Sequence, residues 1–173
     1  VLEMFAEESM FPTIEQAATR SGLSLRSLYR YFADPGELLE AVIKRSDEIG
    51  AELSKLHSIG QGSLADRVEA FISMRLTLHE ATAPIFRATL VNAARHPRIR
   101  EELTRQRNAM RRQFERQFEA ELRGQKPAQR ESIAAAGDLL TQLESLDYLR
   151  RHRQLSAAEA HSALTAGLLA LFD

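Results

Sequence analysis

The residues best placed to do chemistry lie within Thr13–Phe32, TIEQAATRSGLSLRSLYRYF. Two segments of roughly eight residues, each with a helical apolar pattern, flank the three-residue turn Gly22-Leu23-Ser24. Thr13 with Gln16 three residues on makes a capping-box start for the first. Gly22 supplies a left-handed exit from it, and Ser24 caps the second. Ile14, Ala17 and Ala18 give the first helix a small apolar face, and small residues let two helices cross closely. Leu28 and Phe32, one turn apart, give the second its own face, with Leu23 expected to drop into the angle between them. This pattern predicts a helix-turn-helix unit whose second helix presents its outward residues to the major groove. Leu25, Arg26, Tyr29 and Arg30 lie away from the Leu28/Phe32 face. A guanidinium at Arg26, in the first turn, matches guanine O6 and N7. The hydroxyls of Tyr29 and Tyr31, and Thr13 at a helix start, suit phosphates.

Catalytic arrangements are not expected. Cysteine is absent, so thiol nucleophiles, disulfides and thiolate metal sites are excluded. The histidines at 57, 79, 96, 152 and 161 form no i,i+4 pair and no metal-ligand spacing. No glycine-rich phosphate loop occurs. The reading is therefore of a non-enzyme without metal or cofactor. Two alternatives remain: a helical protein–protein adaptor, and a small helical enzyme whose titratable groups converge only in the fold.

The elements that must position these residues are helical throughout. Alternating β-branched runs and Asn-Gly hairpins are missing, whereas 3.6-residue periodicity recurs along the chain. The expectation is an all-α fold of about nine helices. One covers 1–8, with Leu2, Phe5 and Ala6 on a face; the chain opens at Val1 inside this pattern, which reads as a helix missing its start. After the helix-turn-helix pair, Asp34-Pro35 starts a helix reaching about His57. Ser58–Ser63 is a hinge. Helices are expected at 64–81, then 84–95 beyond a break at Pro84, then 97–122, where Ile99, Leu103, Met110, Phe114 and Phe118 recur on one face. Gly124–Pro127 is a linker, followed by helices at 128–152 and 156–172, the last capped by Ser156 and Glu159. The division expected is a DNA-binding head over 1–45 and a ligand-binding, dimerising body over 46–173.

In the body, Met74, Arg75, His79, Asn92, Met110 and Gln142 are the candidates for contacting a small molecule in a mostly apolar cavity. On the last helix Ala160, Leu164, Leu168 and Leu171 form a stripe, widened by Ala163, Ala166, Leu169 and Phe172. Leu139, Leu140, Leu143 and Leu146 do the same before it. So much apolar circumference predicts two neighbours, one of them from a second copy of the chain. No apolar run approaches the ~18 residues of a membrane span, and the start carries acids where a secretory leader carries bases. A cytoplasmic, membrane-free protein is the expectation.

The run Gly22-Leu23-Ser24, then Ser27-Leu28-Tyr29-x-Tyr31-Phe32, then Glu37-Leu38-Leu39 opening a helix, resembles the signature of TetR/AcrR-family transcription regulators. The resemblance covers about residues 1–57. It implies a homodimer whose two heads read the half-sites of a palindromic operator on double-stranded DNA. A small-molecule effector in the body would change head spacing and release a repressor from the DNA. On the matched positions Leu25, Arg26, Ser27, Tyr29 and Tyr31, together with Thr13, would face DNA; Ser24 and Arg30 complete the candidate DNA-binding set. Two positions depart from the pattern. Arg26 stands where the family often has Gly or Pro, and Pro35, followed by Gly36, stands where a phosphate-binding Lys is common. Residues 1–45 also hold more acids than bases, seven (Glu3, Glu7, Glu8, Glu15, Asp34, Glu37, Glu40) against five (Arg20, Arg26, Arg30, Lys44, Arg45). Non-specific affinity for DNA should therefore be modest.

Overall fold

A computed structural model of the chain describes Met4 and residues 13–172. These are all-helical, with no strand among the described residues. The elements are α1 (Ile14–Ser21), α2 (Leu25–Tyr31), α3 (Pro35–Leu53), α4 (Leu64–Ala93), α5 (Pro97–Gln117), α6 (Glu119–Arg123), α7 (Pro127–Thr141), α8 (Leu143–Asp147), a π-helical turn at Tyr148–His152, and α9 (Ala157–Phe172). The all-α expectation and its helix count hold. The helix expected over 1–8 lies outside the described residues.

Local signals explain most helix ends. Thr13 Oγ1 accepts from the Gln16 N–H at 3.2 Å while Gln16 Oε1 accepts from the Thr13 N–H at 2.8 Å, closing a capping box. Asp34 Oδ1 accepts from the N–H groups of Gly36 and Glu37 at the start of α3. Ser156 and Glu159 cap α9 reciprocally, each side chain accepting from the other's backbone N–H. In all three, a short polar side chain takes up donors that a first turn leaves without partners.

Three expected segments differ. Residues 64–81 and 84–95 are one helix, α4, with Pro84 inside it. Pro84 removes one backbone donor and crowds the carbonyl four residues back, but Thr82, Ala83, Phe86 and Ala88 around it are buried. Packing on both sides keeps the helix together. The expected 97–122 helix breaks at Phe118, where α6 begins. The expected 128–152 helix divides at Gln142, whose extended backbone (φ −71°, ψ 152°) separates α7 from α8.

The chain forms two compact units. One comprises Val1–Glu52 with Thr82–Thr104, the other Leu53–Ala81 with Arg105–Asp173. In the first, Ile14, Ala17, Ala18, Leu28 and Leu38 make a small core, with Phe32 packed against it. In the second, Phe71, Phe114 and Phe118 form an edge-to-face and tilted cluster with centroids 4.9–5.9 Å apart. Leu146, Ala160, Leu164 and Leu168 complete that core. Leu164 is 2% exposed and Leu168 fully buried within one chain, so the stripe expected to meet a partner is already used. Leu139 (67% exposed) on α7 and Ala163, Ala166 and Ala170 on α9 are among the apolar residues these helices leave exposed. No described helix is long and apolar enough to cross a membrane.

Candidate functional site

Helices α1 and α2 pack on each other through the small core around Leu28. Gly22, at φ 69°, adopts the left-handed conformation that ends α1, and its N–H donates to the Thr19 carbonyl. Ser24 caps α2 by accepting from the Ser27 N–H at 3.1 Å, and its hydroxyl lies 2.8 Å from that of Ser27. Leu23 departs from expectation: it is 47% exposed rather than wedged between the helices. The buried Ala17 and Ala18 pack with Ile14, Leu28 and Leu38 in the small core here instead.

With Leu28 facing inward, Arg26 and Arg30 each lie about 160° around α2 from it, at the centre of the solvent face. Leu25, Tyr29 and Tyr31 are exposed beside them. The Arg30 guanidinium rests over the Tyr31 ring, 5.6 Å from its centroid. Ser24 and Thr13 are exposed at the two helix starts, while Ser27 is half-buried. The Glu15 carboxyl is held below its ordinary value, chiefly by backbone hydrogen bonding, next by the Thr13 hydroxyl and least by the Tyr29 hydroxyl.

The same unit brings a further basic segment beside the head. Arg98 Nε pairs with Glu40 Oε1 of α3 at 3.2 Å, and Arg95 and Arg100 are exposed on either side of it. Distance along the chain hid this from the sequence reading, since residues 82–104 join the head only through the fold.

In the second unit the body candidates have separate roles. Arg75 is fully buried. Its Nη1 donates to Gln113 Oε1 at 2.9 Å and its Nη2 to the Met110 carbonyl at 3.1 Å. Its guanidinium lies 4.6 Å from the Phe71 ring centroid. Burial pushes its pKa down to about 9, with the nearby Asp138 charge opposing. Met110 thus contributes a carbonyl to this arrangement. Asp138 is in turn pushed up by burial, against the pull of its bond from Gln142 Nε2 at 2.5 Å and of Arg111 and Arg75. His79 is buried, its Nε2 lying 3.3 Å from Asp147 Oδ1. Asn92 belongs to the first unit and donates to the Ala88 carbonyl one turn back.

No family model, no curated protein and no solved structure matches the chain.

Of the six body candidates, Met74 lines a cavity of about 370 Å³ in the second unit, together with Lys55, Leu56, His57, Ala70 and Arg67. The sequence places both Lys55 and His57 at the expected end of a helix, just before the hinge at Ser58–Ser63. Arg67 gave no signal, because one arginine among many on amphipathic helices reads as solvated. Among the described residues no group of three or more His, Asp or Glu side chains is placed to hold a metal ion.

Proposed function

We propose that this chain is a homodimeric, sequence-specific DNA-binding regulator of the TetR/AcrR type, a repressor that a small amphipathic effector releases from a palindromic operator. The observation that carries the reading is the solvent face of α2. Arg26 and Arg30 stand at its centre, Leu25 and Tyr29 flank them, and the helix is capped, turned and buttressed by α1 as a major-groove helix requires. The head's excess of acids weighs against DNA. Arg95 and Arg100, in the same compact unit, offset it in part. The adaptor alternative explains the helices but leaves no use for an arginine-centred face.

The test is selection of the full-length protein on randomised duplex DNA, followed by affinity measurement at several salt concentrations. The expected result is an enriched inverted repeat and an affinity that falls linearly with the logarithm of salt. Retention of no duplex at low salt would transfer the reading to a protein–protein adaptor. Binding without sequence enrichment would remove the regulator but keep a nucleic-acid protein.

A further inference from the structure

Large apolar side chains left in solvent gather on one stretch of the chain. Among the described residues Leu23, Leu25, Tyr29 and Tyr31 are all exposed on the α1–α2 turn and α2, whereas Ile59, Val91, Leu139 and Tyr148 stand far apart in the sequence. A single exposed apolar residue is ordinary on a protein surface. A group of them beside Arg26 and Arg30 is what an interaction face presents.

Within that group Leu25 has a distinct position. Successive residues of a helix turn by about 100°, so Leu25 lies roughly 60° around α2 from the buried Leu28, Tyr29 roughly 100° and Arg26 roughly 160°. Leu25 and Tyr29 therefore make one column, Arg26 and Arg30 a second beside it. The small core takes Leu28 and, in part, Phe32 from this helix, while Leu25 stays 41% exposed. Ser24 caps α2 through the Ser27 N–H, which makes Leu25 its first residue. That is the end which a groove-reading helix directs at base edges.

Leucine offers neither a donor nor an acceptor. A polar base edge pressed against it loses water and gains no hydrogen bond. The major groove carries one apolar group, the C5 methyl of thymine. We propose that Leu25 is a specificity residue that selects a thymine in each half-site by packing on that methyl. The inference rests on the reading of α2 as a major-groove helix and adds to it the identity of a base. Leu25 and Arg26 are consecutive on the first turn, so the thymine is expected close to the guanine that suits Arg26. Cytosine or adenine in its place would set an exocyclic amine against the leucine, and guanine a carbonyl. The side chain that attracts the methyl thus also penalises the other three bases.

The experiment starts from the duplexes that the full chain selects out of randomised DNA. Each thymine of the selected half-site is replaced in turn by deoxyuridine, which keeps the base pair and lacks only the methyl. At one thymine the affinity is expected to fall about fourfold per half-site, the scale of one methyl group returned to water. Leu25→Ala should bind the thymine and deoxyuridine duplexes alike, and Leu25→Met should keep the difference. Tyr29→Phe should weaken both duplexes equally. The helical spectrum of Leu25→Ala should match that of the unaltered chain, since the side chain is exposed and alanine favours a helix. If the selected site holds no methyl-sensitive thymine, or one whose sensitivity Leu25→Ala leaves unchanged, the role of Leu25 falls and the DNA reading stands. If no duplex is retained at all, the DNA reading falls and this inference with it.

Discussion

Arg26 and Tyr29 are neighbours on one helix, yet their chemistry predicts different losses. A guanidinium fork that reads a base edge carries sequence information, so Arg26→Ala should cost about 1–3 kcal/mol on the preferred site and relax preference at one base pair. A hydroxyl on a phosphate carries none. Tyr29→Phe should weaken every sequence alike, by about 1 kcal/mol. Selection over randomised DNA with each variant separates the two. If Arg26→Ala lowers affinity uniformly, Arg26 is a phosphate anchor and the base reading falls to Leu25 or Arg30. The fold should survive both changes, because both side chains are exposed. Gly22 is a different matter. A Cβ there meets nothing within 4 Å, so its only penalty is the left-handed backbone at φ 69°. Gly22→Ala should therefore cost about 1–2 kcal/mol of stability and Gly22→Asn clearly less, by denaturant titration. Equal costs would mean that space, not backbone strain, governs the turn. These residue-scale features were legible in the sequence because a cap, a left-handed exit and a solvent face are set by neighbours within a turn or two. Arg75 was not. Whether an arginine on an apolar helix meets a ligand or a buried lattice of Gln113, Met110 and Phe71 depends on a helix some thirty-five residues away in the chain.

At the scale of elements, the crossing of α5 and α7 depends on one glycine. A Cβ added at Gly137 would fall inside the van der Waals envelope of the Phe114 ring. That ring is fully buried against Phe71 and Phe118 and has no open side to turn into. Gly137→Ala should destabilise by roughly 1–3 kcal/mol through overpacking, although alanine is the better helix former. A gain in melting temperature would show that the two helices separate freely. The start of α9 makes a prediction about pH. The hydroxyl and N–H of Ser156 hold the Glu159 carboxyl below its ordinary 4.5. A carboxyl whose folded pKa is lowered contributes stability above the unfolded value and loses it as pH falls through the folded one. Glu159→Gln keeps the cap's shape without the charge. Its melting temperature should trail the unaltered protein by a constant margin above pH 4.5, and the two should converge on acidification. A margin independent of pH would remove the charge from the account. Helix existence was readable here from periodicity, and helix ends from Ser156, Asp34 and Thr13. The continuity of α4 through Pro84 was not, because whether a proline breaks a helix depends on the packing to either side of it.

At the scale of the whole molecule, periodicity showed how much of α9 is apolar but not which neighbour covers it. Leu164 and Leu168 turned out to serve the chain's own core, so the dimer proposed here needs another face. Ala163, Ala166 and Ala170 lie on α9 roughly 120° from the buried row, and all three are exposed. On α7, Ala128, Ser132, Ala135 and Leu139 form a second exposed column at i,i+4 and i,i+3 spacings. These helices pack against each other within the chain. Rows of alanine on both allow the same helices of a second copy to approach closely, with Leu139 as the one large side chain to bury. Sedimentation at micromolar concentration should therefore show a dimer. Leu139→Glu and Ala166→Glu should each yield a monomer with an unchanged helical spectrum, because neither side chain is part of the chain's own core. Loss of the dimer should also weaken selected palindromic DNA far more than a single half-site, since two linked heads gain from effective concentration and one head does not. A wild-type monomer, or a dimer that both substitutions leave intact, would remove this face as the contact. A palindrome bound equally well by monomeric variants would remove the dimer from the mechanism as well.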